Sequence, residues 1–160
     1  MIGMTAPSDP QPSAERTAEL AAARRWAVIA AIAGFLAVAI GAFGAHGLPD
    51  YLGSLPDATP DKVAKRIDQF DVGARYHLAH AVALLALAVW LGCGLSGRAA
   101  RSIRLAATML LLGIVLFSGS LYVLVLTDTP VWGAVTPIGG VVWLAAWGWI
   151  AMSAGRVGKP

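Results

Sequence analysis

The sequence predicts an all-α protein, a four-helix transmembrane bundle with N- and C-termini in the cytoplasm and a short interfacial helix in the first outer loop. Three observations carry that prediction. Hydrophobic residues make up 58% of the 160 residues and charged residues only 13%, where an ordinary soluble domain carries roughly 25% charge. A soluble fold so poor in charge would lack the polar surface to cover itself, so the surplus apolar surface faces lipid or a partner. Four apolar stretches lie at about 26–47, 76–95, 105–126 and 131–152, each long enough at 1.5 Å per residue to cross a hydrocarbon core of ~30 Å. Backbone amides in hydrocarbon need internal partners, which makes such runs helices, and the alternating ten-residue segments of a barrel are not visible.

Residues 1–24 are expected to form a disordered cytoplasmic tail, with Pro7, Ser8, Pro10, Pro12 and Ser13 ahead of an alanine-rich run that can turn helical near the membrane. The membrane domain is expected over 25–153. Arg24 and Arg25 precede the first span as they would an export signal. The apolar run outlasts the ~7–15 residues of a signal core, however, and no A-x-A pattern closes it, so it reads as a retained helix. In the connection 48–75, Thr59 suits a helix cap and Pro60 a first turn, and Val63, Ile67 and Phe70 recur at helical spacing. Asp61 can pair with Lys65. Such a helix would lie along the membrane surface, and a polar loop with accidental periodicity is the plainer alternative. The connection 96–104 is short and basic, 127–130 is a tight turn served by Asp128, and 154–160 is a second cytoplasmic tail.

The formal charge of +3 is distributed unevenly along the chain. Arg16, Arg24, Arg25, Arg98, Arg101, Arg104, Arg156 and Lys159 share the side of the termini, against Lys62, Lys65, Arg66 and Arg75 opposite. The positive-inside bias therefore places both termini in the cytoplasm. The basic residues form no stripe interleaved with aromatics, so nucleic acid is not an expected partner. One cysteine, Cys93, excludes an internal disulfide.

Ala33, Ala37, Gly41 and Ala45 repeat every four residues along the first helix, with Gly34 and Gly44 beside them. Ala106, Gly113 and Ser120 repeat every seven along the third, where Gly119 adds a further small residue, and Gly139 and Gly140 precede Trp143 and Trp147 in the fourth. Small residues let helix backbones approach in lipid, so Gly41, Gly44, Gly113, Gly119, Gly139 and Gly140 are read as contact positions. Thr136-Pro137 either kinks the fourth helix or starts a new one.

The proposed topology gathers polar side chains from all four helices toward the outer face: His46, Tyr76, His80, Ser118, Ser120, Tyr122 and Thr136, with His77 beside them. Two readings are open. Hydroxyls can bond carbonyls one turn back while the rings sit at the wet interface, or the set can line a cup for water, a lipid head group or a small ligand. His46 and His80 from antiparallel helices are the pair that could reach one haem iron, but no cysteine- or carboxylate-rich set accompanies them, so no metal or cofactor is expected. No catalytic arrangement, nucleotide loop or H-E-x-x-H helix is present, and no enzyme activity is expected.

Gly41-Ala42-Phe43-Gly44-Ala45-His46-Gly47, Leu116-Phe117-Ser118-Gly119-Ser120-Leu121-Tyr122 and Thr136-Pro137-Ile138-Gly139-Gly140 stand in order along the chain, with Tyr76, His80 and Ala81 between the first two. Together they resemble the signatures of the YgdD/YwdK-like family of uncharacterised membrane proteins (domain of unknown function 423), over roughly residues 27–150. Two features depart from the family pattern: His77 stands where glutamine is usual, and the first outer loop is longer. The resemblance implies a small, multi-pass inner (plasma) membrane protein of four helices with no established activity. The expected function is a non-enzymatic membrane component that binds lipid, partner helices of other membrane proteins or a second copy of itself. The alternatives are a small transporter or channel subunit with an outward-facing polar site and, behind it, a haem- or quinone-linked redox protein resting on His46 and His80.

Overall fold

A computed structural model describes residues 14–155. Among these residues there are helices and turns and no strand. The elements are α1 (Ala14–His46), α2 (Leu48–Gly53), α3 (Pro60–Gly92), α4 (Gly97–Gly113), a π-helical segment (Ile114–Gly119), α5 (Ser120–Thr127), a 3-10 turn (Pro130–Ala134) and α6 (Thr136–Ala154). α4, the π segment and α5 run on as one third span, and the 3-10 turn with α6 makes the fourth, giving four helices long and apolar enough to cross a membrane. The connections 47–59 and 128–135 lie at one end of the bundle, the loop face, and the chain ends and the connection 93–96 at the other, the terminal face.

α1 packs along α3, and α6 packs along α4, while α3 and the third span pack on each other. The two middle spans form the centre, and α1 and α6 flank it. On the terminal half the main core cluster is apolar, with the buried Ser153 hydroxyl bonded to Ser102 at its end. Leu84 and Leu91 of α3 meet Ala100, Ile103, Ala106 and Leu110 of α4, whose spacing of three and four residues makes one continuous stripe. The outward faces of α1 and α6 stay uncovered, with Phe35 and Leu144 each about three-quarters exposed.

Three boundaries differ from expectation. α1 starts at Ala14, inside the segment read as a disordered tail, because alanine favours helix and the first turns are tied down from outside. Glu15 Oε1 accepts the Gly97 N–H at 3.0 Å, and Glu19 pairs with Arg104. Residues 1–13 of that expected tail, and 156–160 of the C-terminal one, lie outside the described residues.

The helix expected along the membrane surface is instead the beginning of α3. Thr59 does cap it, its hydroxyl accepting the Lys62 N–H at 3.3 Å, and Pro60 stands in the first turn. No break follows, because the stripe through Phe70, Gly73, Ala74, His77, Ala81 and Leu84 stays in phase across the expected gap. Val63, Ile67 and Phe70 face Leu48, Leu52, Leu124 and Val125 rather than lipid. The short helix of that connection is α2, which contributes its fully buried Leu48 and Leu52 to this second, smaller core.

The fourth span is broken, not merely kinked. A 3-10 turn occupies 130–134, and α6 starts afresh with Pro137 in its first turn, where the missing N–H has no carbonyl to serve. Thr136 provides no side-chain cap to this helix.

Candidate functional site

The polar residues of the loop-face half are arranged around the π segment of the third span. Gly113, at its start, has no side chain, and the Trp143 indole occupies the space a Cβ would need. The indole N–H donates to the Leu110 carbonyl at 3.1 Å, a bond that an intruding side chain supplies where the third span leaves regular α geometry. At Gly139 the fourth span closes directly on the backbone of Phe117, where a Cβ would come within 2.8 Å of the Phe117 Cα. Two glycines and one tryptophan thus lock α6 against the third span.

His80 sits on one flank of this lock. Its ring stacks on Trp143 with centroids 3.6 Å apart and planes 5° from parallel, and the Tyr76 ring continues the stack at 5.8 Å from Trp143. Nδ1 is 2.8 Å from the Tyr76 carbonyl, and Nε2 is 3.3 Å from the Trp147 indole nitrogen. The carbonyl can only accept and the indole can only donate, so His80 is the neutral tautomer with its proton on Nδ1. Both ring nitrogens are used. Tyr76, His80, Pro137, Gly140 and Trp147 border a groove of about 440 Å³ between α3 and α6.

His77, three residues earlier, faces the opposite flank. Its Nδ1 lies 3.3 Å from the Tyr122 hydroxyl, and its Nε2 has no hydrogen-bond partner among the described residues. Both side chains border a second groove, of about 400 Å³, between α1 and the third span. Its other walls are apolar: Ile29, Leu36 and Ile40 on α1, and Leu111, Val115 and Gly119 opposite. The third span therefore divides the expected cup into two grooves on opposite flanks.

The remaining members of the expected cluster are separate. The Ser120 hydroxyl bonds the Phe117 carbonyl at 2.9 Å and the Thr136 hydroxyl at 2.8 Å, joining the third and fourth spans. Ser118 is fully buried beside Tyr122, and among the described residues its hydroxyl lacks a partner in hydrogen-bonding geometry. His46 is exposed at the end of α1. Gly44 packs on Phe70, which sets His46 near the level of Phe70, and His80 is ten residues further along α3, about 15 Å deeper. The proposed pair of haem ligands is not brought together. Among the described residues no three His, Cys, Asp or Glu side chains gather in a metal-binding group.

The glycines divide as well. Gly44, Gly113 and Gly139 mark close approaches, and Gly140 lies in ordinary contact with Phe117. A Cβ on Gly41 would meet nothing within 4 Å, and one on Gly119 only the Ile114 carbonyl oxygen at 3.9 Å, so neither is a helix-contact position. Gly73, not singled out from the sequence, is one: a Cβ there would come 3.0 Å from the Tyr122 ring.

Asp128 does more than serve its turn. It ends α5 in the left-handed conformation at φ 49°, and its carboxylate bonds Lys62 at 2.6 Å and Arg66 at 2.6 and 3.0 Å. Lys62 also meets Asp57 at 2.5 Å. The Lys62 and Arg66 bonds hold the Asp128 carboxyl below the ordinary carboxylate range. With the Tyr51 hydroxyl donating to the Leu126 carbonyl at 2.8 Å, these bonds tie the two loop-face connections together over the smaller core.

No solved structure matches the chain. The chain is 41% identical to the UPF0382 membrane protein YwdK of Bacillus subtilis over 127 residues, 79% of this chain and 93% of that one. To the UPF0382 inner membrane protein YgdD of Escherichia coli K12 it is 38% identical over 130 residues, 81% of this chain and 88% of the relative. Residues 40–140 match the family described as Protein of unknown function (DUF423). That span runs from the end of α1 to the start of α6 and includes all three histidines, the π segment and Gly139. With these matches and four membrane-spanning helices, the chain is a multi-pass membrane protein and belongs to the DUF423 family.

Proposed function

We propose that this chain is a non-catalytic component of the inner membrane, with both termini in the cytoplasm, that binds lipid in the grooves between its helices. The observation that carries this reading is the pair of largely apolar grooves on the two flanks of the third span, each walled by a histidine. Both lie within membrane-spanning segments, so hydrocarbon is the medium that reaches them. The inner-membrane location is supported by the printed description of YgdD. The orientation is supported by Arg24, Arg25, Arg98 and Arg101, all exposed toward the terminal face. The non-catalytic reading is supported by the engagement of two groups suited to acid–base work: His80 uses both ring nitrogens, and Asp128 is held by two cations.

Association with partner helices is the second reading, favoured by the bare faces of α1 and α6, where Phe35, Val38, Val141 and Leu144 are exposed. Transport has less support, because the main core cluster of the terminal half is apolar and its buried Ser153 hydroxyl is already bonded to Ser102 and the Trp149 carbonyl. Native mass spectrometry of the protein extracted gently from its own membrane tests these readings. Retained lipid mass supports lipid binding, an added polypeptide supports the second reading, and a bare monomer counts against both.

A further inference from the structure

We propose that the groove between α1 and the third span is the binding site of a single-chain amphiphile, its uncharged hydroxyl or protonated carboxyl head bonded to His77 and its tail running along α1 toward Ile29. This rests on the lipid-binding reading above and specifies which groove is used and what it holds.

The shape comes first. On α1 the groove extends from Ile29 to Ile40, eleven residues and therefore about 16 Å, and its volume is about 400 Å³. It is a long slot suited to an extended chain. It opens sideways into the bilayer, since Ile32, Leu36 and Val115 on its rims are about half exposed.

The distribution of polarity comes second. α1 and the third span run in the same direction, with Ile29 bordering the slot alongside Leu111 at one end and Ile40 alongside Tyr122 at the other. The walls are aliphatic except at the Tyr122 end, which lies toward the loop face. There the buried His77 has no partner for Nε2 among the described residues, and the Tyr122 hydroxyl orients the ring through Nδ1. A slot that is apolar along its length with one convergent polar end has the chemistry of an amphiphile site. An unsatisfied imidazole nitrogen at this depth gains from any ligand group that can bond it.

The charge comes third. Among the described residues no lysine, arginine, aspartate or glutamate borders the slot. A phosphate head would be desolvated there without a counter-charge, which disfavours a phospholipid head group and favours a head that exchanges one neutral hydrogen bond. The groove on the other flank is also bordered by no charged residue among those described, but it offers no free imidazole nitrogen, because both nitrogens of His80 are already engaged.

The test uses the full-length protein in mild detergent and a long-chain alcohol carrying a photoreactive diazirine in mid-chain, with labelled peptides mapped by mass spectrometry. Label is expected on α1 between 29 and 36 and on the third span between 111 and 119. His77→Phe should reduce it about five-fold, the worth of one hydrogen bond. Gly119→Leu should block it by filling the slot, at a position where a Cβ meets only a carbonyl oxygen at 3.9 Å. Thermal unfolding of both variants confirms that they remain folded. Unlabelled oleyl alcohol should compete and oleyl phosphate should not; competition by the phosphate overturns the head-group assignment. Label spread over Val28, Phe35 and Val38 and unchanged in both variants overturns the site. Label concentrated beside Tyr76 and Trp147 also overturns it while leaving lipid binding intact, whereas only a bare protein in native mass spectrometry removes that broader reading.

Discussion

Replacing Gly139 with alanine tests the lock between the third and fourth spans, and the same replacement at Gly41 serves as its control. At Gly139 the new Cβ collides with the Phe117 backbone nitrogen and comes 2.8 Å from both Cα and Cβ of Phe117. Carbon atoms in good contact sit at about 3.5–4.0 Å, so the fourth span must retreat by about 1 Å. The obstacle is main chain in a hydrogen-bonded segment and cannot rotate away. Any retreat also loosens the Trp143 indole from the space over Gly113 and lengthens its bond to Leu110. Overpacking of this kind costs about 1–3 kcal/mol, and a backbone obstacle places Gly139→Ala in the upper half of that range. The opposing gain, about 1 kcal/mol for alanine over glycine in a helix, shrinks in detergent unfolding, where separated helices remain helical. At Gly41 a Cβ meets nothing within 4 Å, so its variant should be neutral or slightly more stable. Unfolding by sodium dodecyl sulfate, followed by tryptophan fluorescence, measures both. Equal stability of the two variants would refute the claim that Gly139 sets the distance between these spans.

Acidification should weaken the loop-face ties. The Asp128 carboxyl is held low first by its bond to Lys62 and next by that to Arg66, so its contribution is present above the ordinary carboxyl pKa of about 4 and lost as pH falls below it. Asp128→Asn should remove that part of the acid sensitivity of the melting temperature; an unchanged acid profile would show that the ion pairs carry no stability. Selective ¹⁵N labelling of histidine should find His80 with its proton on Nδ1, and an Nε2-protonated ring would contradict the Trp147 bond. Trp147→Phe should cost about 0.6 kcal/mol, with ~1.7 as an upper value, as for other hydrogen bonds between membrane helices. A reporter active only outside the cytoplasm should stay silent when fused to the C-terminus, and strong activity there would reverse the proposed orientation.

The four spans were legible because apolar length is a direct consequence of hydrocarbon thickness. Their ends were less so, for reasons particular to each. Hydropathy starts the first span near Trp26 and the second near Tyr76, but a helix extends further wherever protein contacts replace lipid. Glu15 and Glu19 hold the start of α1 against α4, and Val63, Ile67 and Phe70 rest on α2 and α5. The helical periodicity of that last stripe is visible in the sequence and present in the structure. What the sequence could not supply was the partner, since a helical stripe looks the same against a bilayer as against Leu48 and Val125.

The site shows the same division between local and relational information. Polar residues of the loop-face half were recognisable one by one, yet their grouping depends on a π segment that adds residues to the turn between Gly113 and Ser120. Nothing in Ile114-Val115-Leu116-Phe117-Ser118-Gly119 announces that geometry, because its cause lies on α6, where Trp143 enters the gap at Gly113 and Gly139 meets Phe117. Around this segment His77 and His80, neighbours on one helix, border opposite flanks of the third span. Spacing alone treats them as a pair. Their hydrogen bonds treat them oppositely: His80 is saturated and built into the lock, while His77 keeps one nitrogen facing a slot open to lipid. Of the two buried histidines that border a groove, His77 alone keeps a free nitrogen, which makes it the side chain from which a ligand search begins.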